Sequence, residues 1–569
     1  MTVATAASPF VPADLNAADW TAIEPLYRAL LNRTLRCDGC LRQLLLDRSE
    51  LDSAVSEAQA NLYIQMTCHT DDENRRAAYL HFVEHVDPKV KQVSFELDRK
   101  IVSSPHVAKL DPAAYGVLLR DLKADVELFR EENIPLQTEE TKLDQQYDQI
   151  CGAMTVTFRG EEKTLPQMGR FLEETDRATR EEAWRGVAER RFADHERISG
   201  IFDRLVTLRH QMARNAGFEN YRDYAFKRKH RFDYTPAHCE QFHQAAEECC
   251  VPLLRKLNAQ RRRELSIDTL RPWDLSVDIK GRGPLKPFDG AADLIEKTAG
   301  LFHRMDGRLG ELFDQLRGPG MLDLESRKGK APGGYQYQRD RSRKPFIFMN
   351  AAGLQRDVET MVHEAGHAFH ALLSQHQPLL AYRHAPLEFC EVASMSMELT
   401  AHPFLGEFYG SEGDAHRARR RHLEQLATLL PWIATIDAFQ HWIYTHPGHS
   451  REDRTKQWLL LQERFGPADD WSGLEQYRAV GWQRQGHLFG APFYYIEYGI
   501  AQLGALQLWS QYRRDPRTAI EHYTQALALG GSRPLPDLFN AAGLAFDFGP
   551  AMMKALMEEV QGELDRLPV

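Results

Sequence analysis

Along most of the chain apolar residues recur at spacings of three and four with charged residues between them. That is the pattern of amphipathic helices that bury one face, and it predicts a mainly α fold. From about residue 17 to 150 charge is dense and Gly and Pro are scarce, as in residues 121–134, where Leu122, Val126 and Phe129 share one face. Long antiparallel helices are expected there. Two stretches break the period. Met154 to Leu165 (MTVTFRGEEKTL) alternates β-branched residues around Arg159-Gly160 and predicts a short hairpin. Gly329 to Asn350 carries Gly333-Gly334, alternating aromatics and the apolar run Phe346-Ile347-Phe348-Met349, which suits two strands beside a turn. Arg271-Pro272-Trp273-Asp274 interrupts the helical period as a loop, and from 351 onward the pattern is helical again. No fixed-period repeat or low-complexity tract is present.

Composition narrows the class. With 569 residues, 43% hydrophobic and 27% charged, the chain is long enough for a large core and is neither disordered nor a disulfide miniature. Lys and Arg number 71 against 81 Asp and Glu, and the net charge of −10 argues against nucleic acid as the main partner. The basic run His416 to His422 (HRARRRH) is therefore expected to be a solvated helix face. No apolar stretch is long enough to cross a membrane, and the first twenty residues do not read as a secretory signal. The eight cysteines are sparse and scattered, which fits reduced thiols in a cytoplasm. Cys37 and Cys40 form a CxxC without a second pair or a strand-to-helix context, so they read as incidental.

The sharpest chemical signal is His363-Glu364-Ala365-Gly366-His367, an HExxH on a segment whose apolar positions Val358, Met361, Val362, Ala365, Phe369 and Leu372 follow helical spacing. Four residues advance a helix by one turn plus about 40°, so both imidazoles project from one face and can grip a single ion. Zinc suits neutral imidazoles, and a carboxylate at Glu364 can take the proton of an attacking water. A catalytic zinc needs a third protein ligand. Leu387 to Leu399 reads as a second helix in which Glu388, Glu391 and Glu398 lie on one stripe. Three such carboxylates on an otherwise apolar helix call for a cation opposite.

HEAGHAFH at 363–370, followed by Glu391-Val392-Ala393-Ser394, resembles the thimet oligopeptidase and oligoendopeptidase F family of zinc metallopeptidases, closest to the oligoendopeptidase F-like branch. The hairpin segment FRGEEKTL, GFENYRDY at 217–224, RPWDL at 271–275, the GGY and FIFMN segments, and GHLFGAPFYYIEY at 486–498 follow in that family's order. The resemblance covers roughly residues 140–569. It implies that His363, His367 and Glu391 hold one zinc ion per chain and that Glu364 is the general base. It also carries oxyanion stabilisation to His487 and Tyr498, a task that phenol and imidazole donors suit, and places Tyr495 or Tyr494 against the substrate. Glu398 and His370 are candidates to hold the ligand imidazoles by hydrogen bonds from behind. Gly333, Gly334 and Tyr335, on the strand segment before the zinc helix, are candidates to receive an extended peptide.

The fold implied is two helical halves flanking a deep substrate channel, with a small β-sheet beside the zinc-binding helix. Along the chain this gives an N-terminal helical region (1–150), a helical region completing one channel wall (151–330) and a zinc-binding catalytic region (331–569). The expected activity is hydrolysis of internal bonds in oligopeptides. A zinc carboxypeptidase or dipeptidyl carboxypeptidase of similar fold is the chemical alternative, and a non-catalytic peptide-binding scaffold is the other.

Overall fold

The structure, a computed structural model, describes residues 10–568 apart from 328 and 332. Residues 1–9, the start of the stretch considered above as a leader, lie outside the described residues. Helices dominate, as the period predicted, and among the described residues five short strands join them. By compactness the chain divides into two units, each built from three segments: one from the residues up to Glu127, Lys286–Ala415 and Gly504–Phe546, the other from Leu128–Leu285, His416–Leu503 and the residues from Asp547. Because the segments interleave, boundaries drawn at 150 and 330 along the chain do not coincide with those of the units.

In the first unit Ile23, Tyr27 and Leu30 share one face of the Trp20–Asn32 helix and pack with Leu51, Phe82 and Leu97. The 31-residue helix Asp38–Cys68 ends with Ile64 and Cys68 one turn apart, both lying on Phe346 and Phe348. Those phenylalanines belong to a three-stranded sheet of order β3-β5-β4, with β3 Leu322–Glu325, β4 Tyr335–Arg339 and β5 Lys344–Ala351. The expected strands are β4 and β5, antiparallel with Tyr335 opposite Phe348 and Tyr337 opposite Phe346. The third strand, β3, is parallel to β5, with Leu322 opposite Ile347. Central β5 buries Phe346, Ile347, Phe348 and Met349 consecutively, because the Asp38–Cys68 helix covers one face and the Gln355–Ser374 helix also packs on the strand. A strand covered on both sides loses polar alternation.

The turn out of β5 sets the next helix. Gly353 takes φ +83°, a conformation that favours glycine. The Asp357 carboxylate accepts the main-chain N–H groups of Ala352 and Leu354 at 2.7 and 3.0 Å, satisfying donors at the helix start.

In the second unit β1 (Thr155–Phe158) and β2 (Glu161–Thr164) form the expected hairpin, with Arg159 at φ 53° and Gly160 at φ 82°. Positive φ at both central residues is what a two-residue hairpin turn needs to match strand twist. The Pro272–Asp274 segment is a short 3₁₀ turn whose Asp274 is wholly buried between Arg177 (2.8 Å) and Arg180 (2.9 Å). The basic run is not a solvated face. Arg417 donates to the Gly283 carbonyl, Arg421 pairs with Glu173, and buried Arg420 donates to the carbonyls of Leu564 and Leu567. These guanidiniums cap other segments of the fold, a use that charge spacing alone does not reveal.

Candidate functional site

The helix Gln355–Ser374 carries His363 and His367 one turn apart, their rings 4.8 Å between centroids and nearly perpendicular. The helix Leu387–Thr400 brings Glu391 opposite them: its Oε2 lies 3.5 Å from His363 Nε2 and 3.7 Å from His367 Nε2. These three ligand-type atoms all lie within 4.8 Å of one another. Of the three glutamates on the stripe, Glu391 is the one in this group. Glu398, two turns further on, reaches His363 from behind, with Oε1 2.6 Å from Nδ1. A ring N–H given to Glu398 leaves the Nε2 lone pair facing Glu391.

Two features of close packing hold the helices in this relation. At Gly366 a Cβ would stand 2.6 Å from Ser394 Cα and 2.7 Å from the Ala393 carbonyl oxygen, so the backbones meet where only glycine fits. Ser394 donates its hydroxyl to Glu391 Oε2 at 3.0 Å, and the Tyr523 hydroxyl donates to the Ala393 carbonyl at 2.9 Å. Spacing and periodicity give neither Gly366 nor Ser394 a role. The available signal was a glycine inside a strongly helical run, which costs about 1 kcal/mol relative to Ala and so asks for a packing reason.

Glu364 is 7% exposed, and its Oε2 has no hydrogen-bond partner. Burial raises its carboxyl to about 7, against the opposing pull of His363 and a main-chain hydrogen bond from Gln336 of β4. Burial drives His367 well below its usual value, with His363 and His370 adding to the effect. His363 meets the same burial cost, but its hydrogen bond to Glu398 and the charges of Glu398, Glu391 and Glu364 outweigh it and lift the ring to about 9. The carboxylates around His363 and the burial of His367 thus displace the two imidazoles in opposite directions, and burial brings the Glu364 carboxyl near neutrality.

His370 is buried against Phe389, neither ring nitrogen has a hydrogen-bond partner, and burial lowers it to about 3. It holds neither ligand imidazole. Gly333 has φ +97° and is exposed, with its carbonyl accepting from Asn350 Nδ2 at 3.0 Å; Gly334 is also exposed. They lead into β4, one of the two edge strands of the sheet. Tyr335 turns inward: its ring stacks on Phe348 at 4.7 Å and its hydroxyl lies 2.6 Å from Thr67 Oγ1.

His487, Tyr494, Tyr495 and Tyr498 belong to the second unit and form one aromatic cluster. The His487 ring lies 5.5, 5.0 and 6.1 Å from those of Tyr494, Tyr495 and Tyr498 respectively. Tyr495 and Tyr498 share the first turn of the Tyr495–Arg514 helix, 5.6 Å apart. Gln485 Nε2 sits 2.8 Å from His487 Nδ1, and burial lowers the His487 ring below its usual value. Both Tyr494 and Tyr495 border His487.

Comparison with known proteins places this arrangement. The chain is 26% identical over 313 residues to an oligoendopeptidase F homolog of Borreliella burgdorferi, covering 52% of this chain and 50% of that protein. It is 25% identical over 333 residues to oligopeptidase PepF of Bacillus subtilis, covering 56% and 47%. The chain thus spans about half the length of these curated relatives. In three dimensions it superposes on PZ peptidase A, solved with an inhibitor, with TM-score 0.89 and 28% identity over 96% of this chain and 97% of that one. Residues 10–129 match the Peptidase M3 N-terminal domain. With residues 170–558 matching the model of Peptidase family M3, a span that contains the HExxH helix, Glu391 and the His487 cluster, the chain belongs to that family.

Proposed function

We propose that this protein is a zinc-dependent endopeptidase that hydrolyses internal bonds of short peptides. One observation carries the reading: His363, His367 and Glu391 converge from two helices beside a buried Glu364 carboxylate with an unpartnered oxygen. Ligands bonded to one tetrahedral ion at about 2.0–2.2 Å stand roughly 3.4 Å apart, and the observed 3.5 and 3.7 Å spacings fit that requirement. The donor set, two imidazoles and one carboxylate, suits zinc. When bound, zinc supplies Lewis-acid polarisation of a carbonyl and brings the pKa of water toward about 7.

The chain's own residues do the rest. Glu364 takes the proton of the attacking water and passes it to the leaving amine, work for which a carboxyl near neutrality is well matched. Glu398 fixes the tautomer of His363, and Ser394 orients Glu391. Gly333, Gly334 and the outer edge of β4 receive the peptide in extended form by main-chain hydrogen bonds. His487 and Tyr498 donate hydrogen bonds to the oxyanion, with Tyr494 and Tyr495 contacting substrate. The names of the relatives, oligoendopeptidase and oligopeptidase, support the substrate class. Among the described residues the eight cysteines carry no disulfide, and no helix is long and apolar enough to cross a membrane. Both facts support the cytoplasm as its place of action.

Digestion of a mixed peptide pool, read by mass spectrometry, tests the proposal. The unaltered chain should cut internal bonds, and it should cut C-terminally amidated peptides equally well, which a carboxypeptidase cannot do. Glu364→Gln should retain one zinc at this site and lose about 10²-fold or more in kcat. Undiminished cleavage by that variant would remove Glu364 from the mechanism.

A further inference from the structure

A second group of metal-binding side chains lies in the other unit. The helix Pro236–Ala245 carries Cys239 and His243 one turn apart, and the helix Glu412–Thr445 carries Asp437 and His441 at the same spacing. All four are buried, at 1%, 4%, 0% and 7% exposure. A sulfur of Cys239, an oxygen of Asp437 and a ring nitrogen of His441 all lie within 4.8 Å of one another. His441 Nε2 is 3.2 Å from Asp437 Oδ2, and His243 Nε2 is 2.8 Å from the same oxygen. Phe226 and Phe493 stand edge-on to His441, with ring centres 6.0 and 5.5 Å away.

The polar bookkeeping of this cluster does not close on protein atoms. Asp437 Oδ1 and His441 Nδ1 are buried without hydrogen-bond partners, and His441 Nε2, though 3.2 Å from Asp437 Oδ2, is not aligned for a hydrogen bond with it. Leaving a carboxylate oxygen and an imidazole unsatisfied between aromatic walls is costly, and a native fold normally supplies the missing partner. The His243 hydrogen bond accounts for one carboxylate oxygen only. A divalent ion would answer for the rest, because it takes a thiolate, a carboxylate oxygen and an imidazole together and neutralises the two negative charges on the first two. Thiolate with imidazole favours zinc and similar soft or borderline ions over magnesium or calcium.

We propose that Cys239, Asp437 and His441 form a second metal site, for a thiophilic divalent transition ion, with His243 orienting Asp437 by hydrogen bond. The ion joins the two helices by bonds to side chains nearly two hundred residues apart in sequence. Its role is structural, since the ligands are sealed from solvent.

Cobalt substitution tests this separately from the peptidase reading. A cobalt–thiolate bond gives a near-ultraviolet charge-transfer band, and the His363, His367, Glu391 group has no sulfur to produce one. Cys37 and Cys40, whose sulfurs are 2.8 Å apart, are first replaced by serine so that they cannot contribute. That protein, stripped with chelator and reloaded with cobalt, should bind two ions per chain and show the band. Adding Cys239→Ser should abolish the band and one ion. Adding His367→Ala instead should remove one ion and leave the band unchanged. Absence of the band in the parent protein, or its persistence in Cys239→Ser, overturns the site. Anomalous scattering at the cobalt edge from crystals of the unsubstituted chain needs no folding of a variant: a peak between Cys239 and His441 supports the proposal, and no peak there overturns it.

Discussion

Replacing Gly366 by alanine perturbs the proposed metal centre without touching any ligand. The added Cβ would lie 2.6 Å from Ser394 Cα and 2.7 Å from the Ala393 carbonyl oxygen, about 0.8 Å inside ordinary van der Waals contact. Both obstacles are backbone atoms of the Leu387–Thr400 helix, so no side-chain rotation relieves them. The two helices must separate by nearly that distance. Overpacking of this kind costs about 1–3 kcal/mol of stability. Glu391 stands one turn before Ser394, so the separation lengthens the 3.5 and 3.7 Å spacings that bring it to His363 and His367. Metal sites tolerate only about 0.2 Å of ligand displacement, and misplacing reacting groups by about 1 Å costs on the order of 10² in rate. Gly366→Ala should therefore weaken zinc binding, measured by competition with a chromophoric chelator, and lower kcat/KM on a fluorogenic peptide about 100-fold, while circular dichroism keeps its helical shape. Gly116→Ala is the control, because nothing lies within 4 Å of its added Cβ and alanine favours a helix by about 0.5–1 kcal/mol. Unchanged zinc affinity and activity in Gly366→Ala would refute the idea that this close approach sets the site.

Three further outcomes follow from other contacts. Glu398→Ala removes the carboxylate behind His363 and should weaken metal binding about 10–100-fold by chelator competition; an unchanged dissociation constant would show that Glu398 does not orient the ring. Tyr498→Phe should lower kcat by about 10²–10³ with little change in KM if its hydroxyl serves the oxyanion, and steady-state kinetics on one peptide decides this. For Asp274, burial pushes the carboxyl up, but hydrogen bonds from Arg177, the Arg271 main chain and Arg180 outweigh it and hold the group below its usual value. A depressed folded pKa contributes stability that is present above the unfolded value of about 3.9 and lost as pH falls through the folded one. Asp274→Asn should destabilise by about 3–5 kcal/mol near neutrality, and the gap in melting temperature from the unaltered chain should narrow as pH is lowered toward 3; a gap that stays constant with pH would contradict the ionic account.

Local periodicity made the helices, the β1–β2 hairpin and the His363–His367 pair readable, because each depends on neighbours within about one turn. The hairpin needed only Arg159-Gly160 and alternating flanks. The strand β3 was not readable: four residues, Leu322 to Glu325, offer no alternation to count, and their partner β5 lies parallel to them some twenty residues on. The basic run at 416–422 was misread for the same reason, since its hydrogen-bond acceptors at Gly283, Leu564 and Leu567 lie far away in sequence.

Sequence by itself determined that this is a helical chain with an HExxH helix and an acidic stripe on the next helix, since helical geometry dictates which side chains share a face. Helical geometry alone left Glu388, Glu391 and Glu398 open and the family resemblance implied Glu391; the tertiary structure brings Glu391 to the imidazoles and sets Glu398 behind them. The separation of the two helices, set at Gly366 by the absence of a single side chain, fixes how closely Glu391 approaches the imidazoles. The tertiary structure also decided that His370 is sealed in a core and that Cys239 faces Asp437 and His441. Contacts between distant segments are made by burial and packing, and no local pattern of residues encodes them.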